Sequence, residues 1–262
     1  MEELLSPFDF CISFSGACAT AMQLKRRGLR LASMPFDWVR GGDKEKFLDT
    51  MATFMETRFA GWCQYENLVP MPKEQDYPPA TDPLEVRAWD TVYDMGFYHD
   101  FRYNIFASDG RGYFDGIRER YRRRIDRFYD FLSRSRRVLG VMVAPEGPFA
   151  REKVRSFKER IDALHPGTAF TLVNLNYQAR EDDVYEDRER GLVIFDMERK
   201  MHTYDFFSTS CEWSFLDDVR LTGRVRAEME VKSASSGMPL WYRLHRRLYM
   251  HCKKAIGKGD VN

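Results

Sequence analysis

The spacing of apolar positions changes period along the chain, and those changes predict its elements. From Phe8 to Phe14 the run Phe-Asp-Phe-Cys-Ile-Ser-Phe is aromatic and β-branched, as a buried strand requires. Ser15-Gly16-Ala17 turns the chain. Cys18 to Arg27 then reads as a helix with Ala21 or Met22 and Leu24 on its apolar face, ended by Gly28. Leu29 to Val39 is short and extended, broken at Pro35. Gly41-Gly42 make another turn, Asp43 suits an N-cap, and Lys44 to Arg58 predicts a second helix.

Asn67 to Pro83 holds five of the eleven prolines and reads as loop. Val92 to Phe101 reads as extended. Tyr113 to Arg134 is the clearest helix, with Ile117, Tyr121, Ile125, Phe128 and Leu132 at helical spacing and arginines over the remainder. A βαβ pattern follows: strand Arg137 to Ala144, helix Arg151 to Leu164 with Val154, Phe157 and Ile161 inward, and strand Ala169 to Leu175. That connection is long enough for a right-handed parallel crossover. A charged loop, Arg180 to Arg190, precedes a strand at Gly191 to Met197, and Leu216 to Met229 reads as helical. The expected fold is a single α/β domain, residues 1–239, with a mixed or mostly parallel sheet flanked by helices. Cys18 opens its first helix. Residues 240–262 form a basic amphipathic C-terminal helix, Leu240 to about Ile256, and tail.

Composition narrows the classes. Of 262 residues, 41 are basic and 40 acidic, so the net charge of +1 gives no global basic excess for a nucleic-acid partner. No apolar run is long enough to cross a bilayer, and the N-terminus lacks a secretory pattern. The five cysteines, Cys11, Cys18, Cys63, Cys211 and Cys252, are odd in number and never paired as C-x-x-C. They argue against a disulfide framework and for a reduced, cytoplasmic protein. The histidines and acids lack metal-site spacings such as H-E-x-x-H, so neither a metal nor another cofactor is expected.

Candidate chemistry concentrates at the first turn. A cysteine attacks as the thiolate, and a helix N-terminus favours that anion through unpaired N–H groups and the helix dipole. The same N–H groups stabilise an oxyanion on a carbonyl under attack. Cys18 has both advantages, with Gly16 allowing the sharp turn before it. It is also readable as a small buried hydrophobe, as Cys11 is. Of the five histidines His99 stands apart, in the aromatic, extended segment Gly96-Phe97-Tyr98-His99-Asp100-Phe101. It is either the base for Cys18 or a histidine satisfied by backbone at the edge of the core. Two carboxylates are candidates to orient it. Asp100 adjoins it, although strand neighbours point to opposite faces, and Asp37 lies between aromatics in Pro35-Phe36-Asp37-Trp38. Ser13, Ser15, Gly16 and Trp38 are the candidate substrate-contacting residues.

The segments Ile12-Ser13-Phe14-Ser15-Gly16-Ala17-Cys18-Ala19-Thr20-Ala21, Leu24-Lys25-Arg26-Arg27-Gly28-Leu29-Arg30 and Pro35-Phe36-Asp37-Trp38 carry a resemblance. So do His99-Asp100-Phe101 and the helix Arg120-Tyr121-Arg122-Arg123-Arg124-Ile125-Asp126-Arg127-Phe128. Together they resemble a bacterial family of unknown function labelled as papain-like cysteine peptidases, over roughly residues 8 to 200. The resemblance implies a thiol nucleophile at Cys18 with His99 as base, acting on an amide or acyl bond. It also implies a cysteine on a helix and a histidine on an antiparallel sheet.

Two other classes compete. A strand, a small-residue turn and a helix start also cradle a phosphate or sugar nucleotide, with Ser13, Ser15 and backbone N–H groups as ligands and Cys18 merely packing. The resemblance implies that members of the family are often met alongside surface-glycan synthesis genes, which suits a glycan-modifying or transferase role. Alternatively, Trp241, Leu244, Leu248, Cys252 and Ala255 form an apolar stripe bordered by Arg243, Arg246, Arg247, Lys253 and Lys254, and residues 240–256 make weak contact with an anionic membrane surface. Such a helix also docks its stripe on its own domain. The arginines from Arg118 to Arg127 read as a solvated helix face. The substrate is left open among small molecule, peptide and glycan.

Overall fold

The computed structural model describes residues 7–14, 16–71, 85–107, 110–201 and 211–225, and in it the strands sort into two sheets. Met1–Thr222 is one compact unit, and the fold below is that of its described part. The first sheet takes the order β1-β6-β7-β9-β8, with β1 Phe10–Ser13, β6 Arg137–Ala144, β7 Ala169–Tyr177, β8 Asp183–Asp187 and β9 Leu192–Met197. Its β1–β6, β6–β7 and β7–β9 pairs are parallel, and only β8 runs antiparallel, at the edge. Three helices flank the strands that carry the site: α1 Cys18–Arg26, α3 Gly110–Arg134 and α4 Arg151–Leu164. The α/β reading with a mostly parallel sheet therefore holds, and Cys18 is the first residue of α1.

A parallel sheet covered on both faces needs apolar residues on both. On one face Cys11, Leu139, Val141, Val143, Val173 and Leu175 pack with Ala19 and Leu24 of α1 and with Trp213 and Leu216. On the other, Phe10 meets Phe131 of α3 edge-on at 5.0 Å, and Phe14 meets Phe157 of α4 at 5.2 Å. Burying each such side chain contributes about 1.5–3 kcal/mol, which is why β1 and β6 read as near-continuous apolar runs. At the C-terminal ends of β7 and β9 the packing turns polar. Asn176 accepts from Phe149 N–H (3.1 Å) and donates to Asp196 (2.6 Å), which also pairs with Arg151 at the start of α4 (2.8 Å).

The second sheet is antiparallel, ordered β2-β5-β4-β3, with β2 Val39–Gly41, β3 Leu68–Pro70, β4 Glu85–Asp90 and β5 Met95–Arg102. Helix α2, Lys44–Glu56, follows β2, and its N-cap Asp43 accepts from Glu45 N–H at 2.9 Å. An aromatic core joins this sheet to the helices. Phe36 lies 5.1 Å from Phe59, 5.6 Å from Trp62 and 6.2 Å from Phe128, and Trp62 lies 5.4 Å from Phe97.

Several expectations change here. The segment from Val92 is a hairpin rather than one extended stretch: residues 91–94 turn between β4 and β5, with Asp90 accepting from Val92 and Tyr93 N–H. Leu68–Pro70, expected as loop, pairs with β4, its proline at the sheet edge where a missing N–H costs nothing. Asp183–Asp187, read as charged loop, is an edge strand whose charges face water and discourage edge-to-edge pairing. Residues 217–222 are not helical; a 3-10 turn at Cys211–Leu216 precedes them, and Phe8 and Leu221 form a parallel bridge beyond β1. Residues 240–262 lie outside the described residues, as do most of the proline-rich segment and Ser15. No helix among the described residues is long and apolar enough to cross a membrane.

Candidate functional site

The turn after β1 is set by a close approach between backbones. Gly16 has φ +91°, and a Cβ built there would lie 1.7 Å from the Val143 carbonyl oxygen of β6. Only glycine fits, and the chain passes directly from the sheet into α1. Ala17 is the extended residue before the helix and provides no side-chain cap, and Cys18 stands at the helix N-terminus, where the dipole favours an anion. Cys18 is partly exposed, whereas Cys11 and Cys63 are buried. Burial pushes both of those thiols far above their ordinary range, so neither forms a thiolate readily.

His99 reaches Cys18 from the other sheet. Its Nε2 lies 3.3 Å from the Cys18 sulfur, within the reach allowed for a sulfur hydrogen bond. A bulge aims it there. Phe97 pairs with Ala88 and Phe101 with Val86, so Tyr98, His99 and Asp100 of β5 all face the single residue Arg87 of β4. His99 sits in the bulge at φ +70°, a left-handed conformation that histidine adopts more readily than most residues. Bulges re-aim side chains beside functional sites, and this one leaves His99 exposed between buried neighbours.

The two candidate carboxylates are committed elsewhere. Asp100 turns into the protein and accepts from both Arg124 guanidinium ends (2.8 and 2.9 Å), from the Tyr121 hydroxyl (2.7 Å) and from Arg120 (3.3 Å). Burial, reinforced by the Asp100 charge, pushes the Tyr121 hydroxyl far up, so it remains a donor. Burial works against the Arg124 charge, yet the Asp100 hydrogen bonds hold it protonated. Asp37, at 1% exposure, accepts from Met34 N–H (2.8 Å) and from Arg30 through both Nε (3.0 Å) and Nη2. Burial pushes its carboxyl up against the pull of Arg30, and its Oδ1 is buried without a partner.

Trp38 is half-buried beside the pair. Its ring meets the His99 imidazole edge-on at 5.4 Å, and its carbonyl accepts from Tyr98 N–H at 2.9 Å. The Arg30 guanidinium lies 5.3 Å from the Trp38 ring centroid. Of the other substrate-contact candidates, Ser13 is buried in β1 and Gly16 is buried against Val143. Arg30 and Arg124 carry no sequence signal of a site role. Arg30 looks like one of several basic residues at a helix end, and Arg124 like one more arginine on a charged face.

Residues 9–177 match the family described as "Putative papain-like cysteine peptidase (DUF1796)", a span that includes Cys18 and His99. The chain belongs to this family. The chain is also similar to "Uncharacterized protein R408" of Acanthamoeba polyphaga mimivirus, 25% identical over 160 residues, covering 58% of this chain and 69% of the viral one. No solved structure matches. The family's expected cysteine on a helix and histidine on an antiparallel sheet are both present, on α1 and β5.

Proposed function

We propose that the protein is a cysteine-dependent hydrolase or acyltransferase that cleaves an amide or acyl bond through Cys18 and His99. The observation that supports this is the 3.3 Å approach of His99 to the sulfur across two separate sheets. In the ion-paired form, the Cys18 thiolate attacks the substrate carbonyl carbon, and helix N–H groups stabilise the resulting oxyanion. His99 passes its Nε2 proton to the leaving amine or alcohol as the carbon–leaving-group bond breaks, giving a thioester on Cys18. Water, or a second acceptor in the transferase case, then loses a proton to His99 and attacks the thioester carbonyl carbon; the carbon–sulfur bond breaks, the acyl product leaves, and the thiolate–imidazolium pair is restored. The cycle consumes no cofactor, and a reduced thiol suits a reducing, cytoplasmic setting. A phosphate cradle uses the same helix start but gives no reason for an imidazole at the sulfur.

The test is selective alkylation, read by peptide mapping. An ordinary thiol is well under a per cent ionised at pH 6, so an ion-paired Cys18 is expected to react with iodoacetamide there about a hundredfold faster than free cysteine, while the buried Cys11 and Cys63 stay unlabelled. His99→Asn, which keeps a residue tolerant of positive φ, is expected to remove most of that advantage. Alkylation of Cys18 no faster than that of free cysteine would overturn the reading.

A further inference from the structure

A histidine exposed on a strained bulge has little of its own backbone geometry to fix its ring, and the neighbouring carboxylate Asp100 is turned toward α3. Trp38 meets the ring directly, edge-on at 5.4 Å. Resting on the thiol–imidazole reading above, we propose that Trp38 is a positioning residue for His99, and that the buried Arg30–Asp37 ion pair holds Trp38 in register with the helix that carries Cys18.

The connections run in both directions from Arg30. Its backbone N–H bonds back to Leu24 of α1 (3.1 Å), just past the Gly28 turn, so Arg30 is fixed to the helix that begins at Cys18. Its guanidinium then grips Asp37 and the Ser33 hydroxyl (3.0 Å) and packs against the Trp38 ring. Phe36, fully buried among Phe14, Phe59, Trp62 and Phe128, fixes the same short segment from the other side. The Trp38 carbonyl accepts from Tyr98 N–H, which ties the tryptophan to the bulge itself. The chain Cys18 helix, Arg30, Asp37 and Trp38, His99 therefore closes a loop around the two reacting atoms.

Two Arg30 nitrogens converge on the single oxygen Oδ2 of Asp37, and the indole of Trp38 offers a broad face for the guanidinium to stack on. The ion pair thus lies against the Trp38 ring, which meets the imidazole edge-on. Among the described residues, charged groups on the same stretch of chain include Arg87, stacked on Tyr98 at 5.3 Å, and Asp100, paired with Arg124. Asp37 thus contributes to the site through Arg30 and Trp38 and does not touch the reacting atoms.

The experiment is the pH–rate profile of Cys18 alkylation by iodoacetamide, from pH 5 to 9, in the full chain. Trp38→Leu is expected to slow alkylation about tenfold at pH 6 and to move the inflection toward that of an ordinary thiol. Trp38→Phe, which keeps a ring edge against the imidazole, is expected to stay within about twofold of the unaltered protein, and Arg30→Gln to fall between them. Cys11 and Cys63 remain unlabelled wherever the fold is intact, so the same maps separate misplacement from unfolding. An unaltered profile in Trp38→Leu, with His99→Asn flattened, overturns the positioning role while leaving the thiol–imidazole pair standing. An unaltered profile in His99→Asn as well overturns the pair itself. Should Trp38→Leu expose the buried thiols, Arg30→Gln decides, and an unchanged profile there overturns the proposal.

Discussion

Replacing Arg124 by leucine is expected to destabilise the protein by about 3–5 kcal/mol, measured as a shift in its denaturant midpoint. The estimate follows from what is left behind. Asp100 is buried at 7% exposure and its carboxylate takes both ends of the Arg124 fork. Without Arg124, the charge retains only Tyr121 and the half-exposed Arg120. A buried ion that loses its partner costs more than the pair was worth, because its desolvation is no longer offset. The control is the double variant Arg124→Leu with Asp100→Leu, which removes both charges and is expected to recover much of the loss. The single change should also act at a distance, since Asp100 anchors the bulge that aims His99. Cys18 alkylation at pH 6 is expected to slow in Arg124→Leu before the protein unfolds. A destabilisation below about 1 kcal/mol would mean that the pair is solvated rather than buried.

The same residues show how far the sequence could be read. The β1–turn–α1 unit was legible because strand periodicity, two small residues and helix formers agree over a short stretch, and local agreement of that kind is what periodicity reports. The βαβ stretch from Arg137 to Ala169 was legible for the same reason. The second sheet was not. Its strands are short, one lies at the edge and carries proline, and their turn, Thr91 to Asp94, has none of the glycine or proline that punctuates most hairpins. The bulge at His99 is a register event between two strands, so no single segment records it. Strand alternation did predict that Asp100 would face away from a Cys18–His99 pair. Its arginine partner sits 24 residues later on a helix whose charges read as solvent-facing, and only the tertiary contact distinguishes Arg124 from Arg122 or Arg123.

The site is built from two pieces that fold by different rules. The parallel sheet places Cys18 at the C-terminal end of a strand, where open α/β sheets gather their ligands. The antiparallel sheet contributes His99 through a bulge whose conformation is costly and has to be held by its surroundings. Asp100 with Arg124 holds the bulge from inside, and Trp38 with Arg30 meets it from the sulfur side. The contact between Cys18 and His99 is therefore a property of the interface between the sheets rather than of either motif.

Gly16→Ala tests the first of those pieces with the sharpest contrast the chain offers. Gly16 and Gly28 flank α1, and both have positive φ, +91° and +73°. They differ in surroundings: a Cβ at Gly28 meets nothing within 4 Å, whereas at Gly16 it would fall 1.7 Å from the Val143 carbonyl oxygen. Gly28→Ala is therefore expected to cost only the left-handed backbone, about 1–2 kcal/mol. Gly16→Ala adds overpacking of about 1–3 kcal/mol, for a total of about 2–5 kcal/mol, because the clashing atom is backbone in a central strand and cannot swing aside. The relief available is for the turn to move away from β6, and that carries the start of α1, and Cys18, away from His99. Gly16→Ala is thus expected to lose the fast alkylation of Cys18 at pH 6, while Gly28→Ala keeps it despite its own loss of stability. If the two variants proved equal in both denaturant midpoint and alkylation rate, the close approach to Val143 would not be what sets Cys18 in place.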